Sequence, residues 1–277
     1  MRPSEGAGSI DVSVRAFSYD SGASGPELTR AVAVEAPIQI VIGGAPFAVM
    51  MATPNDLEDF AYGFALTEQI ANSFADIRDV EVEPVEDGWK LKIAISGERL
   101  QAHLARGRAM SGRTGCGLCG IEDFSRMPSP RPLLHPQAPI APDAIRAALS
   151  ELEARQPLNQ ASRAVHAAAW CGRDGAIVLV REDVGRHNAL DKTIGALARA
   201  GAAADSGFFV ITSRCSFEMV AKAAIFGAGT LVSVSAPTSL ALERAQRFGV
   251  RLIAVARRDQ ALCFDGGKDE ASGGLAA

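Results

Sequence analysis

The rhythm of apolar and polar positions changes twice along the chain. Ile38 to Ile42 and Phe47 to Ala52 are almost continuously apolar on either side of Gly43-Gly44-Ala45-Pro46, which predicts two strands joined by a tight turn. Behind them Leu57, Phe60, Ala61 and Phe64 recur at helical spacing; Thr53 as cap and Pro54 at the first helical position mark where that helix should begin. Val80 to Val85 and Trp89 to Ile95 predict a second hairpin around Glu86-Asp87-Gly88. Residues 1–105 therefore read as a polar Ser/Gly/Ala-rich tail, to about Gly25, followed by a small α+β domain.

Between 106 and 142 the periodicity is lost. Prolines stand at 128, 130, 132, 136, 139 and 142, a density that neither a helix nor a central strand tolerates. This is a linker, and the glycine-rich Gly115-Cys116-Gly117-Leu118-Cys119-Gly120 just ahead of it reads as part of a mobile inter-domain loop.

From 143 onward helix and strand signals alternate. Pro142 to Arg155 predicts a helix with Ile145, Leu149 and Leu152 inward. Ala164 to Cys171 and Ala176 to Val180 predict strands. Three helices, marked by Leu190/Ile194/Leu197, Phe217/Val220/Ala221/Ala224 and Ser239–Phe248, then separate the strands Phe208 to Thr212, Thr230 to Val234 and Val250 to Ala256. Such alternation implies an α/β domain over 143–277 with a mixed, largely parallel sheet and helices on its faces. The loops at 181–188, 213–216, 235–238 and 257–260 should share the carboxyl edge of that sheet, where ligands bind.

Composition narrows the function. At 277 residues, 48% hydrophobic and 22% charged, the chain can build two cores without disulfides or metal. A formal charge of -4 and a pI near 5.7 argue against a nucleic-acid protein, which needs a clear basic excess somewhere. With no run of eighteen apolar residues and no basic-apolar leader, the expectation is a soluble, cytoplasmic protein without a membrane partner. Five cysteines, at 116, 119, 171, 215 and 263, form no secreted framework and should be reduced thiols.

Cys116 and Cys119 follow Arg106, Arg108 and Arg113. A structural zinc needs four ligands and finds two here. A thioredoxin-type pair needs a strand-to-helix turn rather than flanking glycines. Two surface thiols without chemistry are a further reading. Against it, cationic neighbours stabilise a thiolate and glycines let it swing, as a sulfur carrier would require. At the sheet edge, Arg181, Asp183, Arg186, His187, Asp191 and Lys192 could be a solvated helix start with an ion pair. Arg214, Ser216, Arg257 and Arg258 recur in the sister loops, however, and helix N-termini point the same way, so an anion with several phosphates fits. His166 and His187 read equally as structural histidines, and Cys171 and Cys263 as buried or inert. The zinc deaminases share such alternation but require a His-x-Glu and a following Pro-Cys-x-x-Cys; His166-Ala167-Ala168 lacks the glutamate.

CGLCG at 116–120, REDVGRHNALDK at 181–192, SRCSFEMVAKA at 213–223 and SAPTSLALE at 235–243 together resemble the FdhD family, accessory sulfurtransferases of formate dehydrogenase. The resemblance runs from about Pro37 to Ala256. It implies a cytidine-deaminase-like three-layer α/β/α fold without zinc, and a homodimer. It implies that Cys116 accepts sulfane sulfur from a cysteine desulfurase as a persulfide, with Cys119 beside it. The sulfur then passes to the molybdenum of bis-molybdopterin guanine dinucleotide, which GDP would mimic. The family's guanine-dinucleotide contact falls on Val255, Ala256, Arg257, Arg258, Asp259 and Gln260, joined by Arg181, Asp183, Arg186, His187, Arg214 and Ser216 from the edge loops. Cys215 departs from the small residue usual there and puts a spare thiol near the pocket; the end after Ala261 lacks the family's aromatic. A non-covalent cofactor chaperone and a dithiol oxidoreductase are the rival readings.

Overall fold

The computed structural model describes residues 8–101, 130 and 137–264; Cys116, Cys119 and most of the 106–142 segment lie outside them. The first elements correct the reading of a polar tail. β1 (Ser9–Phe17) and β2 (Ser24–Ala33) form an antiparallel ribbon. Its signal was the alternation of Ile10, Val12 and Val14, which register puts opposite Val32, Arg30 and Leu28 on one face. Five of these apolar side chains are exposed, so the pattern did not look like a core strand.

β3 (Ala36–Ile42), β4 (Ala45–Ala52), β5 (Ile77–Val85) and β6 (Gly88–Ile95) make a four-stranded sheet in the order β4-β3-β6-β5. Both predicted hairpins are present, and β3 runs parallel to β6 between them. One face carries Ile38, Ile40, Ile42, Leu91 and Ile93, all at most 1% exposed, against Phe60, Ala61 and Phe64 of α1 (Leu57–Thr67). The helix begins later than its cap signal predicts. Asp56 holds the cap position at φ 51, because Thr53 is drawn away: its N–H donates to Asp183 Oδ2 (3.0 Å) and its Oγ1 accepts from Val184 N–H (3.2 Å).

The second sheet has six strands: β7 (His166–Gly172), β8 (Ile177–Asp183), β9 (Gly207–Ile211), β10 (Thr230–Ser233), β11 (Arg251–Ala254) and β12 (Leu262–Cys263). Their order is β12-β11-β10-β9-β7-β8. The expectation of a largely parallel sheet holds for the β9–β10–β11 centre and is corrected elsewhere: β7–β9, β7–β8 and β11–β12 are antiparallel. β7 and β8 form a hairpin, and β7 inserts between β8 and the strand that follows it, so the first β-α-β crossover spans an antiparallel neighbour.

Side chains alternate across this sheet with a period of two. Trp170, Phe209, Leu231 and Leu252 face α4 (Arg186–Arg199), α5 (Phe217–Phe226) and α6 (Ser239–Phe248). Cys171, Phe208, Val232 and Ile253 face α2 (Pro142–Leu152) on the other side. Helices thus cover both faces, giving three layers. A short helix, α3 (Pro157–Ser162), precedes β7, its first N–H groups donating to the buried Glu182 carboxylate (2.9 and 2.8 Å).

The two sheets are joined through α1 and α4, which cross at glycines. A Cβ on Gly63 would lie 1.7 Å from Asp191 O, and one on Gly195 would lie 1.9 Å from Asp59 O. The backbones touch because neither residue has a side chain.

Candidate functional site

The carboxyl ends of β8 to β11 and the start of antiparallel β7 lie on one edge, since His166 pairs with Asp183 and Thr212 N–H donates to Ala167 O (3.0 Å). The loops leaving that edge brace each other through backbone groups. Cys215 N–H donates to Ala236 O (3.2 Å), Thr238 N–H to Cys215 O (3.0 Å), and Ser233 Oγ to Ser213 O (2.9 Å). Val255 N–H reaches Ser235 O (3.2 Å) and Ala256 N–H reaches Ser233 O (3.1 Å). Val255 is held at φ 51, a left-handed conformation that costs a β-branched residue about 1–3 kcal/mol and persists only where surrounding contacts enforce it.

Beyond Val255 the chain turns: Arg257 N–H donates to Gln260 O (2.7 Å), and the Arg257 guanidinium bonds Val234 O. Arg258, 70% exposed in its side chain, lies 3.9 Å from Glu153. Asp259 and Gln260 are exposed. Arg257 and Arg258 wall a cleft of about 370 Å³ that runs past Ala256, Val234 and Thr212 to His166, with Leu149 and Leu152 of α2 opposite. A second cleft of about 350 Å³ continues on the far side of Arg257 and Arg258 toward Arg146, Arg251 and Cys263. Of the predicted 255–260 contact, residues 256–260 line these clefts and Val255 does not, and the α2 wall is the part that the sequence reading did not include.

The REDVGRHNALDK motif turns mostly inward. Lys192 and Asp183, both 0% exposed, form an ion pair at 2.7 Å. Asp183 also accepts from Thr53 N–H, Gly185 N–H (2.7 Å) and Asn188 Nδ2 (2.9 Å), and Lys192 donates to Thr53 O (2.9 Å) and Asn55 Oδ1 (2.7 Å). Arg181 donates twice to Asp59 Oδ2 (2.9 and 2.8 Å), and Arg199 takes the other oxygen of Asp59. Lys222 bonds both oxygens of Asp191 (2.9 Å each) and Thr67 Oγ1 (2.8 Å). Burial pushes the Asp191 carboxyl up to about 6 against the pull of Lys222. The Lys222 ammonium, despite its own burial, is held up by Asp191 and Glu68. These groups clamp the first sheet's helix and the β4–α1 loop to the second sheet and its helices. Arg181 and Asp183, expected at the cofactor, have their polar atoms in this clamp. Its other half, Asp59, Thr53 and Thr67, carried no motif signal; partners more than a hundred residues apart meet only in the fold.

Arg186, His187 and Ser216 behave differently. Their Nε, Nε2 and Oγ atoms are buried and find no hydrogen-bond partner. Burial, then the charges of Lys222, Arg186 and His166, push the His187 imidazole down to about 3. His166 is lowered by burial and by Arg186. Arg214 is exposed.

The cysteines need two corrections. Cys215 is a free thiol but not an accessible one: it is 0% exposed, and burial with Glu218 nearby pushes its thiol up to about 12. Cys263, expected to be buried or inert, is exposed on β12, since that two-residue edge strand gives it no cover. Cys171 is buried, its thiol likewise pushed up to about 12. Among the described residues no group of three His, Cys, Asp or Glu side chains could hold a metal, and no helix is long and apolar enough to cross a membrane.

Comparison with known proteins bears on this arrangement. The profile of the FdhD/NarQ family matches residues 33–269. A sulfur carrier protein FdhD from Xanthomonas euvesicatoria pv. vesicatoria is 48% identical over 244 residues, covering 88% of this chain and 87% of that protein. One of the same name from Cupriavidus necator is 47% identical over 229 residues, covering 82% and 78%. A crystal structure of a candidate formate dehydrogenase accessory protein from Desulfotalea psychrophila matches with a TM-score of 0.71 at 24% identity, over 94% of this chain and 97% of that one. This likeness extends the shared fold across both sheets. The profile match takes in both cores, the clamp, the cleft and all four sequence motifs, and on that ground the chain belongs to the FdhD/NarQ family.

Proposed function

We propose that this protein is a sulfur carrier in which Cys116 holds the sulfur and the edge cleft holds a guanine-dinucleotide cofactor. The observation that carries the reading is the coincidence of a Cys116-Gly-Leu-Cys119 motif with near-half identity to proteins named sulfur carriers. In the first step the Cys116 thiolate attacks the terminal sulfur of a donor persulfide, forming a Cys116 persulfide and releasing the donor thiol. A cysteine desulfurase is the donor in this reading. The recipient is the molybdenum of bis-molybdopterin guanine dinucleotide destined for formate dehydrogenase, and the protein acts in the cytoplasm as a homodimer. That cofactor is the substrate. The cleft at Ala256, Arg257 and Arg258 supports its binding, being open, cationic and large enough for part of a nucleotide. The relation to the zinc deaminase fold is part of the same reading, supported by three layers with helices on both faces of a mixed sheet.

Incubation with a desulfurase and labelled cysteine, followed by mass detection of sulfane, tests it. Labelled sulfur should appear on Cys116 and be lost in Cys116→Ala, with partial loss in Cys119→Ala. Wild-type labelling of Cys116→Ala would remove that residue from the role. Nucleotide binding without any label would favour a chaperone.

A further inference from the structure

β1 presents an edge that the fold leaves uncovered. Val34 N–H donates to Gly8 O (2.9 Å), one step beyond the Ser9–Ala33 pair of the ribbon. Ladder bonds of an antiparallel pair recur at every second residue, so Ile10, Val12 and Val14 exchange theirs with Val32, Arg30 and Leu28. The N–H and C=O groups of Ser9, Asp11, Ser13 and Arg15 therefore point away from β2, and among the described residues no third strand meets them. Every residue from Ile10 to Phe17 is exposed.

Natural sheets guard such edges with proline, lysine or an inward-pointing charge. β2 follows that rule with Pro26 near its start, whereas β1 reads Ser-Ile-Asp-Val-Ser-Val-Arg-Ala-Phe, without proline, glycine or lysine. A two-stranded ribbon is also marginal by itself and needs a further strand or a packed face. α3 supplies packing at the base, where Leu158 lies against Gly8, while Ile10, Val12, Val14, Leu28 and Val32 remain 36–46% exposed.

The strand's own sequence points to the occupant. Ser13 is the middle of β1, with Asp11 two residues before it and Arg15 two after. When two copies of β1 pair antiparallel about Ser13, the whole strand overlaps. Asp11 then falls opposite the partner's Arg15, Arg15 opposite the partner's Asp11, and Val12 opposite the partner's Val14. The outward groups at 11, 13 and 15 meet one another, as a ladder requires, and no other register sets the two charges face to face. Both charges are at hand. Among the described residues neither Asp11 nor Arg15 has an ion pair, and Glu27, which stands opposite Arg15 across the ribbon, accepts from Ser13 Oγ. Opposite charges directly across a sheet stabilise pairing and like charges oppose it. The contact is isologous, so both free β1 edges are used and assembly stops at the dimer; the edges left outermost are those that carry Pro26.

We infer that two copies of this chain associate through antiparallel β1–β1 pairing about Ser13, which joins their ribbons into one continuous sheet. The homodimer is part of the reading above, on which this inference rests; the strand, its register and its two ion pairs are not.

Sedimentation equilibrium on wild type, Asp11→Arg, Arg15→Asp and the charge exchange Asp11→Arg/Arg15→Asp tests it, with circular dichroism to check each fold. Either single change sets like charges opposite each other twice and should weaken the dimer about tenfold. The exchange rebuilds both pairs and should match wild type. An equimolar mixture of the two single variants should form a heterodimer, since two arginines of one chain then face two aspartates of the other, which misfolded chains could not achieve. A monomeric wild type overturns both this surface and the homodimer. A wild-type dimer that both single variants retain at full strength overturns the surface and leaves the homodimer standing. Weakened single variants that neither the exchange nor mixing rescues overturn the register, and the inference with it.

Discussion

Lys192 is an ammonium with no exposed surface, held by one carboxylate, one carbonyl and one amide oxygen. Removing either partner of such a pair leaves the other charge buried and uncompensated, at a cost of about 3–5 kcal/mol. Lys192→Met should therefore lower stability by about that amount in urea unfolding. A double variant with Asp183→Asn should lose less than the sum of the two single changes, and strict additivity would show that the pair is not coupled. His187 sets a pH dependence of known sign. Its folded imidazole titrates at about 3 against an ordinary 6.5, so between those values the unfolded chain binds more protons. Its contribution is complete above pH 6.5 and is lost as the pH falls, by at most about 1.4 kcal/mol per unit. His187→Gln should flatten the acid limb of a stability–pH curve; an unchanged slope there would remove His187 as its source.

At the level of elements, the α1–α4 crossing is the tightest constraint. Gly63→Ala would place a methyl into the Asp191 carbonyl, and since both neighbours are helix backbone the helices must separate. Overpacking of this kind costs about 1–3 kcal/mol or more, and separation would also stretch the Asp59–Arg199 and Thr67–Asp191 bonds that bridge the same helices. Gly195→Ala should act alike. Thermal unfolding measures both, and a melting temperature within a degree of wild type would mean that the crossing is looser than its geometry. The strands of this region were legible because their inward faces are uninterrupted apolar runs. The β1–β2 ribbon was not, because its alternating apolar residues lie on an exposed face within a Ser/Gly/Ala-rich stretch.

For the whole molecule, the edge cleft and the clamp have separable consequences. Replacing Arg257 and Arg258 by Ala should weaken GDP by about 1–3 kcal/mol if they contact phosphate or base. Added salt should weaken the wild-type interaction as well. Because both side chains are exposed and their contacts are with the Val234 and Ala256 carbonyls and with Glu153 at 3.9 Å, melting temperature should fall far less than affinity. Equal GDP affinities for wild type and double variant by calorimetry would take both arginines out of the site.

The sequence by itself determined most of the strands and helices from residue 142 on, since the periods of two and of three to four are local properties; α3 and β12 are too short to show either period. It also marked the edge loops, because polar residues cluster where each strand run ends. It marked Cys116 and Cys119 through the glycines and arginines around them, and those residues lie outside the described structure. Tertiary structure alone decided what the edge residues do. Arg181, Asp183, Asp191 and Lys192 look like a charged surface run in one dimension, yet they meet Asp59, Thr53, Thr67 and Lys222 in the interior. Arg186, His187 and Ser216, their neighbours in sequence or in space, are left with unpaired donors. The difference arises because a charge is satisfied by whatever the fold brings within about 3 Å, and that proximity is set by the packing of α1 against α4 rather than by any spacing along the chain.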